Sequence, residues 1–85
     1  MKRTILLLTI FTIVSTSFAQ SAADYYRKAV VKFRSGDYAG AAVEYTRALD
    51  VDASSAVLYN NRGVCYYRIE RYSDALNDYN QAVLI

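Results

Sequence analysis

The chain has 85 residues and a formal net charge of +2, with one Cys and no His, Trp or Pro. This length holds one small domain at most. Without histidine there is no His-based acid–base or metal chemistry, and one cysteine permits neither an internal disulfide nor a Cys-pair metal site. Lys2 and Arg3 carry the whole excess charge. From Gln20 onward eight basic residues balance eight acidic ones, which argues against nucleic-acid binding by phosphate neutralisation.

Residues 1–19 read as a secretory signal peptide. Lys2 and Arg3 make a positive start and Ile5 to Val14 is a mostly aliphatic run. Small residues follow, with Ser17 and Ala19 where a signal peptidase reads. Cleavage is expected after Ala19, leaving Gln20 as the new N-terminus of an exported chain that meets the membrane only transiently. The alternative is a retained anchor, since Thr4 to Ala23 carries no charge. Seven of those twenty residues are Ser or Thr, however, and the aliphatic part is short for a span.

Four helices are expected after the leader. Ser21-Ala22-Ala23-Asp24 is a capping-box pattern with Asp in place of Glu, and it opens a helix that runs to about Ser35. Gly36 suits a positive φ at the turn, and Asp37 suits the cap of the second helix, about Tyr38 to Val51. Its apolar face is Tyr38, Ala41, Ala42, Tyr45, Ala48 and Leu49. Ala53-Ser54-Ser55 is a loop, with Ser55 as N-cap of a third helix, about Ala56 to Ile69. There Tyr59, Gly63 and Tyr66 share one face. Glu70-Arg71 makes a turn without glycine. The fourth helix, about Tyr72 to Ile85, places Tyr72, Ala75, Leu76, Tyr79, Ala82 and Val83 on one side at helical spacing.

The second helical pair repeats the first at an interval of 34 residues. Tyr25, Tyr38, Ala41, Tyr45 and Ala48 align with Tyr59, Tyr72, Ala75, Tyr79 and Ala82. Ala22, Val30 and Arg34 align with Ala56, Val64 and Arg68. A helix–turn–helix unit with this period resembles the tetratricopeptide repeat (TPR) family. The downstream copy matches the family pattern at Tyr59, Arg62-Gly63, Tyr66, Ala75, Tyr79 and Ala82, departing only where the family has Leu before the glycine. The upstream copy departs more, with Lys28-Ala29 at that pair, Lys32 for Tyr and Ala53 at the usual Pro. The resemblance implies an all-α fold of TPR-type helix-turn-helix repeats, a right-handed α-solenoid segment. Repeat 1 covers about 22–55 and repeat 2 about 56–85, which stops short at its C-terminal end. Gly63, Ala75 and Ala82 are expected where backbones approach closely. Two units without a polar capping helix leave one apolar face open. That pattern suits the N-terminal piece of a longer array or, alternatively, self-association through the last helix.

Catalytic chemistry finds little support. Asp74 and Asp78, four apart, read as a solvated face, and Asp50 and Asp52 stand at a helix end. Cys65 is expected to be a packed small side chain; a reactive thiolate needs an open, basic setting. No cofactor and no metal is implied. The resemblance instead implies a concave groove lined by the first helix of each repeat. It would show Tyr26, Arg27, Val30, Phe33 and Arg34 from repeat 1, and Asn60, Asn61, Val64, Tyr67 and Arg68 from repeat 2. Such a strip suits a peptide segment: rings supply area, Arg takes carboxylates and Asn meets backbone amides. In the TPR subclass that clamps chaperone C-terminal carboxylates, a third-helix Asn matches Asn61. The first-helix clamp positions are Tyr26 and Val30 here, so that specificity is not carried over. The expected function is a non-catalytic, exported protein–protein interaction module. The alternative is an N-terminal accessory TPR segment of a longer exported enzyme or cell-envelope assembly protein.

Overall fold

The computed structural model describes residues 20–85; the expected leader, its cleavage and the anchor alternative fall on residues 1–19, outside the described residues. Four α-helices follow one another: α1 (Ala22–Arg34), α2 (Tyr38–Val51), α3 (Ala56–Arg68) and α4 (Tyr72–Leu84). Each packs on the next in chain order, giving two helical hairpins stacked through α2 and α3. This is the all-α, TPR-type solenoid arrangement that the repeat period implies.

Local chemistry sets the helix ends. Ser21 and Asp24 form the reciprocal capping box on α1: the Asp24 amide donates to Ser21 Oγ at 3.2 Å and the Ser21 amide to Asp24 Oδ2 at 3.1 Å. The Ser21 backbone amide, then its hydroxyl, holds the Asp24 carboxyl below its ordinary pKa. Asp37 caps α2 by accepting from the Gly40 amide at 2.8 Å, and Ser55 caps α3 by accepting from the Leu58 amide at 3.3 Å. Both hairpins turn through a left-handed residue. In the first it is Gly36, at φ 85°; in the second Glu70 takes φ 65°. The turn without glycine therefore keeps the backbone geometry and forces a side chain into a region that costs L-residues about 1 kcal/mol or more.

The core is one cluster centred on α2: Ala29 from α1, Ala41, Ala42, Tyr45, Ala48 and Leu49 from α2, and Leu58 and Cys65 from α3. Small residues let the backbones close up. A Cβ added at Gly63 would meet the Tyr79 ring at 2.8 Å, so the close approach expected at this glycine is real. Ala29, Ala41, Ala48 and Ala75 are likewise buried, while Tyr25, Tyr38, Tyr59, Tyr66 and Tyr79 are half-buried beside them.

On the apolar side of the fourth helix Tyr72, Leu76 and Val83 are 56%, 60% and 85% exposed, the face expected to stay open; one expectation for this helix is corrected below. The reason is the lack of a neighbour: Tyr38, one repeat earlier, has the Arg68 guanidinium from the next repeat over its ring at 5.5 Å, and no described residue does this for Tyr72 from beyond α4. Asp78, expected on a solvated face with Asp74, is buried. Its carboxylate takes two hydrogen bonds from Arg62, from Nε at 2.8 Å and Nη2 at 2.7 Å. Arg62 Nη1 donates to Thr46 on α2 at 3.1 Å, and the guanidinium lies 5.6 Å from both the Tyr59 and Tyr66 ring centres. The Asp78 hydrogen bonds raise the Arg62 pKa further above its already high value, so the guanidinium stays charged. Arg62 thus replaces the family's Leu with a charge that α4 neutralises.

Candidate functional site

The inner helices α1 and α3 flank a groove floored by α2. A cavity of about 240 Å³ opens there, lined by Tyr26, Val30, Phe33, Tyr45, Asn61 and Val64. The helical period explains the set. Tyr26, Val30 and Phe33 lie at i, i+4 and i+7 on α1, and Asn61 and Val64 lie at i and i+3 on α3. The Tyr26 and Tyr45 rings meet edge to face with centres 6.1 Å apart, and Phe33 meets Tyr38 in the same way at 5.1 Å. These pairs fix the rings, and Tyr26, Phe33 and Tyr45 line the cavity. Burial raises the Tyr45 pKa. The Asn61 amide is the groove's central polar group.

Five of the ten residues expected in the groove line this cavity: Tyr26, Val30, Phe33, Asn61 and Val64. Arg27 is turned to Asp24, with which it forms an exposed ion pair. Asn60 lines a different cavity, between α3 and α4. Tyr67 is 57% exposed and packs edge to face on Tyr72 at 5.4 Å. Arg68 lies over Tyr38, and Arg34 is exposed with no ion pair among the described residues. These two arginines lie at the C-terminal ends of α1 and α3. Through Phe33 and Tyr38 the cavity is linked to the Arg68 guanidinium. Sequence reasoning gave Tyr45 only a packing role. Its place at i+7 from Tyr38, facing both α1 and α3, is the signal that could have put it in the groove.

The other candidate groups lie in or against the packed helices, and one of them, Glu44, keeps its Oε2 buried without a partner. Cys65 is fully buried, and burial pushes its thiol up to about 11, so it is neither a nucleophile nor open to pairing between chains. Glu44 is buried on α2 at the position equivalent to Asp78. Its Oε1 accepts from Arg47 at 2.6 Å and Lys32 at 3.3 Å. Asp50 and Asp52 are exposed, as expected. Among the described residues no group of three or more acidic, His or Cys side chains could hold a metal ion, and no helix is long and apolar enough to cross a membrane.

A stacked pair of helical hairpins repeating at 34 residues, small residues at their crossings and an apolar inner groove define a helical-repeat interaction module. Comparison with known proteins finds the same kind of repeat. Two family models match, one described as tetratricopeptide repeat over residues 56–85 and one as TPR repeat over residues 30–70. With the fold, they support tetratricopeptide repeats and, in general terms, a protein–protein interaction module. The chain is 38% identical over 66 residues to heat shock protein STI1 of Saccharomyces cerevisiae, covering 76% of this chain and 11% of that protein. It is 41% identical over 46 residues to Hsp70-Hsp90 organizing protein 3 of Arabidopsis thaliana, covering 54% and 8%. With human serine/threonine-protein phosphatase 5 it shares 37% identity over 51 residues, covering 60% and 10%. The matched stretch is about a tenth of the length of these relatives. No solved structure matches.

Proposed function

We propose that this chain is an exported TPR module that holds a peptide segment of a partner protein in the groove between α1 and α3. The observation that carries this reading is the cavity of Tyr26, Val30, Phe33, Tyr45, Asn61 and Val64: apolar and aromatic walls around one amide, with Arg68 reached through the Phe33–Tyr38 ring pair and Arg34 exposed one residue beyond Phe33. Such a site takes an apolar side chain into the cavity, a backbone amide at Asn61 and an acidic group at the arginines. Export rests on Lys2-Arg3, the aliphatic run and Ser17-Phe18-Ala19. The relatives include chaperone-organizing proteins by name, but Tyr26 and Val30 replace the clamp's first-helix residues. The partner is therefore defined by the groove's own chemistry. In a second reading the same module fronts a longer exported enzyme or envelope-assembly protein. The small share of each relative that the chain matches is what favours it.

The test is binding of a peptide library that varies an apolar anchor and an acidic residue independently, on wild type and groove variants. Asn61→Ala should weaken binding by about fivefold, the worth of one hydrogen bond of about 1 kcal/mol. Arg34→Ala with Arg68→Ala should weaken binding of acidic peptides and flatten its salt dependence, because exposed ion pairs are screened. Equal capture by wild type and both variants would remove the groove as the recognition surface.

A further inference from the structure

From the placing of charge around the groove we infer that it reads an internal stretch of an extended chain, not a chain end: an aromatic anchor enters the cavity and a carboxylate side chain follows two or three residues away. This rests on the groove reading and adds the form of its ligand. The lining of Tyr26, Val30, Phe33, Tyr45, Asn61 and Val64 carries no charged side chain. Its volume of about 240 Å³ falls below the ~300–1,000 Å³ of pockets that take whole small molecules, so it holds one side chain of a longer ligand. Tyr26, Phe33 and Tyr45 in the wall favour a ring, which they can meet edge to face.

The cations of α1 and α3 set the spacing. Asp24 neutralises Arg27, Glu44 accepts from Lys32 and Asp78 holds Arg62. Lys28 lies two residues from both Tyr26 and Val30, on the opposite side of α1, where it donates to Gln20 at 2.9 Å. Arg34 and Arg68 are exposed and belong to no ion pair among the described residues. The Phe33 and Tyr38 ring centres are 5.1 Å apart and Arg68 lies 5.5 Å from the second, so the guanidinium is at most about 11 Å from the Phe33 ring centre. Along α3, Asn61 and Arg68 are separated by about 10 Å at ~1.5 Å of rise per residue, and along α1 Tyr26 and Arg34 by about 12 Å. An extended chain advances ~3.3 Å per residue, so three residues span about the same distance, and the reach of an Asp or Glu side chain allows two. A free carboxylate on the anchor residue itself meets a different setting. Beside Asn61 it stands about 10 Å of helix from Arg68, beyond the ~8 Å over which exposed charges act at physiological salt. It loses hydration there and gains no ion pair.

Fluorescence anisotropy of synthetic peptides with the full chain tests this, with circular dichroism reporting the fold of each variant. The peptides have a neutral Ser-Gly host, an amidated C-terminus, one Phe near the middle and one Glu moved stepwise along either side. One further pair ends on the Phe, as free acid and as amide. Affinity should peak with Glu two or three positions from Phe on one side, about two- to fivefold above the peptide without Glu, the worth of one exposed ion pair. Arg34→Gln with Arg68→Gln should remove the peak and leave the peptide without Glu bound as before; both side chains are exposed, so the fold should be kept. The acid that ends on Phe should bind at least about fivefold more weakly than its amide. A flat Glu profile, a peak that the double variant keeps, or an acid bound as tightly as its amide overturns the inference. In each of those cases a loss of binding on Asn61→Ala shows that the groove is still the site, so the groove reading stands without it. If no peptide binds, or Asn61→Ala changes nothing, both fall together.

Discussion

The two hairpins carry the same pattern and meet different fates. In the first, α2 is covered on both sides: Tyr45 is 3% exposed, Leu49 6%, and Ala41 and Ala48 are fully buried. In the second, α4 is covered on one side only, so Ala75 and Asp78 are buried while Leu76, Val83 and Leu84 face outward. Apolar character at a helical position is thus a capacity for burial that a neighbouring helix must realise. The hairpins also solve the inner contact differently. The first packs Ala29 against α2 and gives its buried Glu44 two basic partners that are themselves largely exposed; the second packs Gly63 against Tyr79 and gives its buried Asp78 a bidentate arginine.

Removing that arginine should be the most damaging single change. Arg62→Ala leaves the Asp78 carboxylate buried without its partner, at a cost of about 3–5 kcal/mol. Lys32→Ala should cost far less, because Glu44 keeps Arg47 at 2.6 Å. Urea denaturation of both variants checks the difference, and equal losses would mean that the two buried carboxylates are held alike.

Truncating the equivalent apolar side chains probes coverage itself. Leu49→Ala should destabilise by about 2–5 kcal/mol, as for a buried core leucine. Val83→Ala should change stability by less than about 0.5 kcal/mol when the chain is dilute enough to be monomeric. Thermal melts at low concentration measure both. A large loss at Val83 under those conditions would show a cover on α4 from within the chain.

Next in size is overpacking at the close crossing of the second hairpin. Gly63→Leu forces a side chain into the Tyr79 ring and should cost about 1–3 kcal/mol. Val57→Leu, at an exposed position on the same helix, should be neutral. If the two variants melt together, α3 and α4 are not in the contact described.

The smallest effect sharpens the comparison of the turns. Glu70→Gly relieves the left-handed strain at φ 65° and should stabilise by about 1 kcal/mol or less, the gain being offset by the greater freedom glycine gives the unfolded chain. Gly36→Ala, at φ 85° with open space around it, should destabilise by a similar amount, through backbone strain alone. Opposite signs in denaturant midpoints are the expected result.

Much of this architecture was legible in the residues. Ser21, Asp37 and Ser55 mark the helix starts because their side-chain oxygens satisfy free amides locally, and each of these caps forms as expected. The Tyr–Ala spacing at 34 residues gives the hairpins, and the small residues give the crossings. Half of the expected groove also came together, because residues one helical turn apart share a face wherever the helix lies. Arg27 and Tyr67 were misplaced for the complementary reason. Arg27 has an acidic partner one turn away on its own helix, and Tyr67 has a ring on the next one, so neither turns to the groove.

What the sequence alone determined was therefore local: helix limits, caps and turn positions, all set by interactions within a few residues of chain. The tertiary structure decided everything that needs a second helix. It paired Arg62 with Asp78 sixteen residues away, put Tyr45 on the groove floor and left Leu76 and Val83 exposed. The physical reason is that desolvation depends on which surfaces meet. A charge on an expected solvent face becomes a buried ion pair when an arginine crosses from α3, and an apolar stripe stays wet until another helix lies across it.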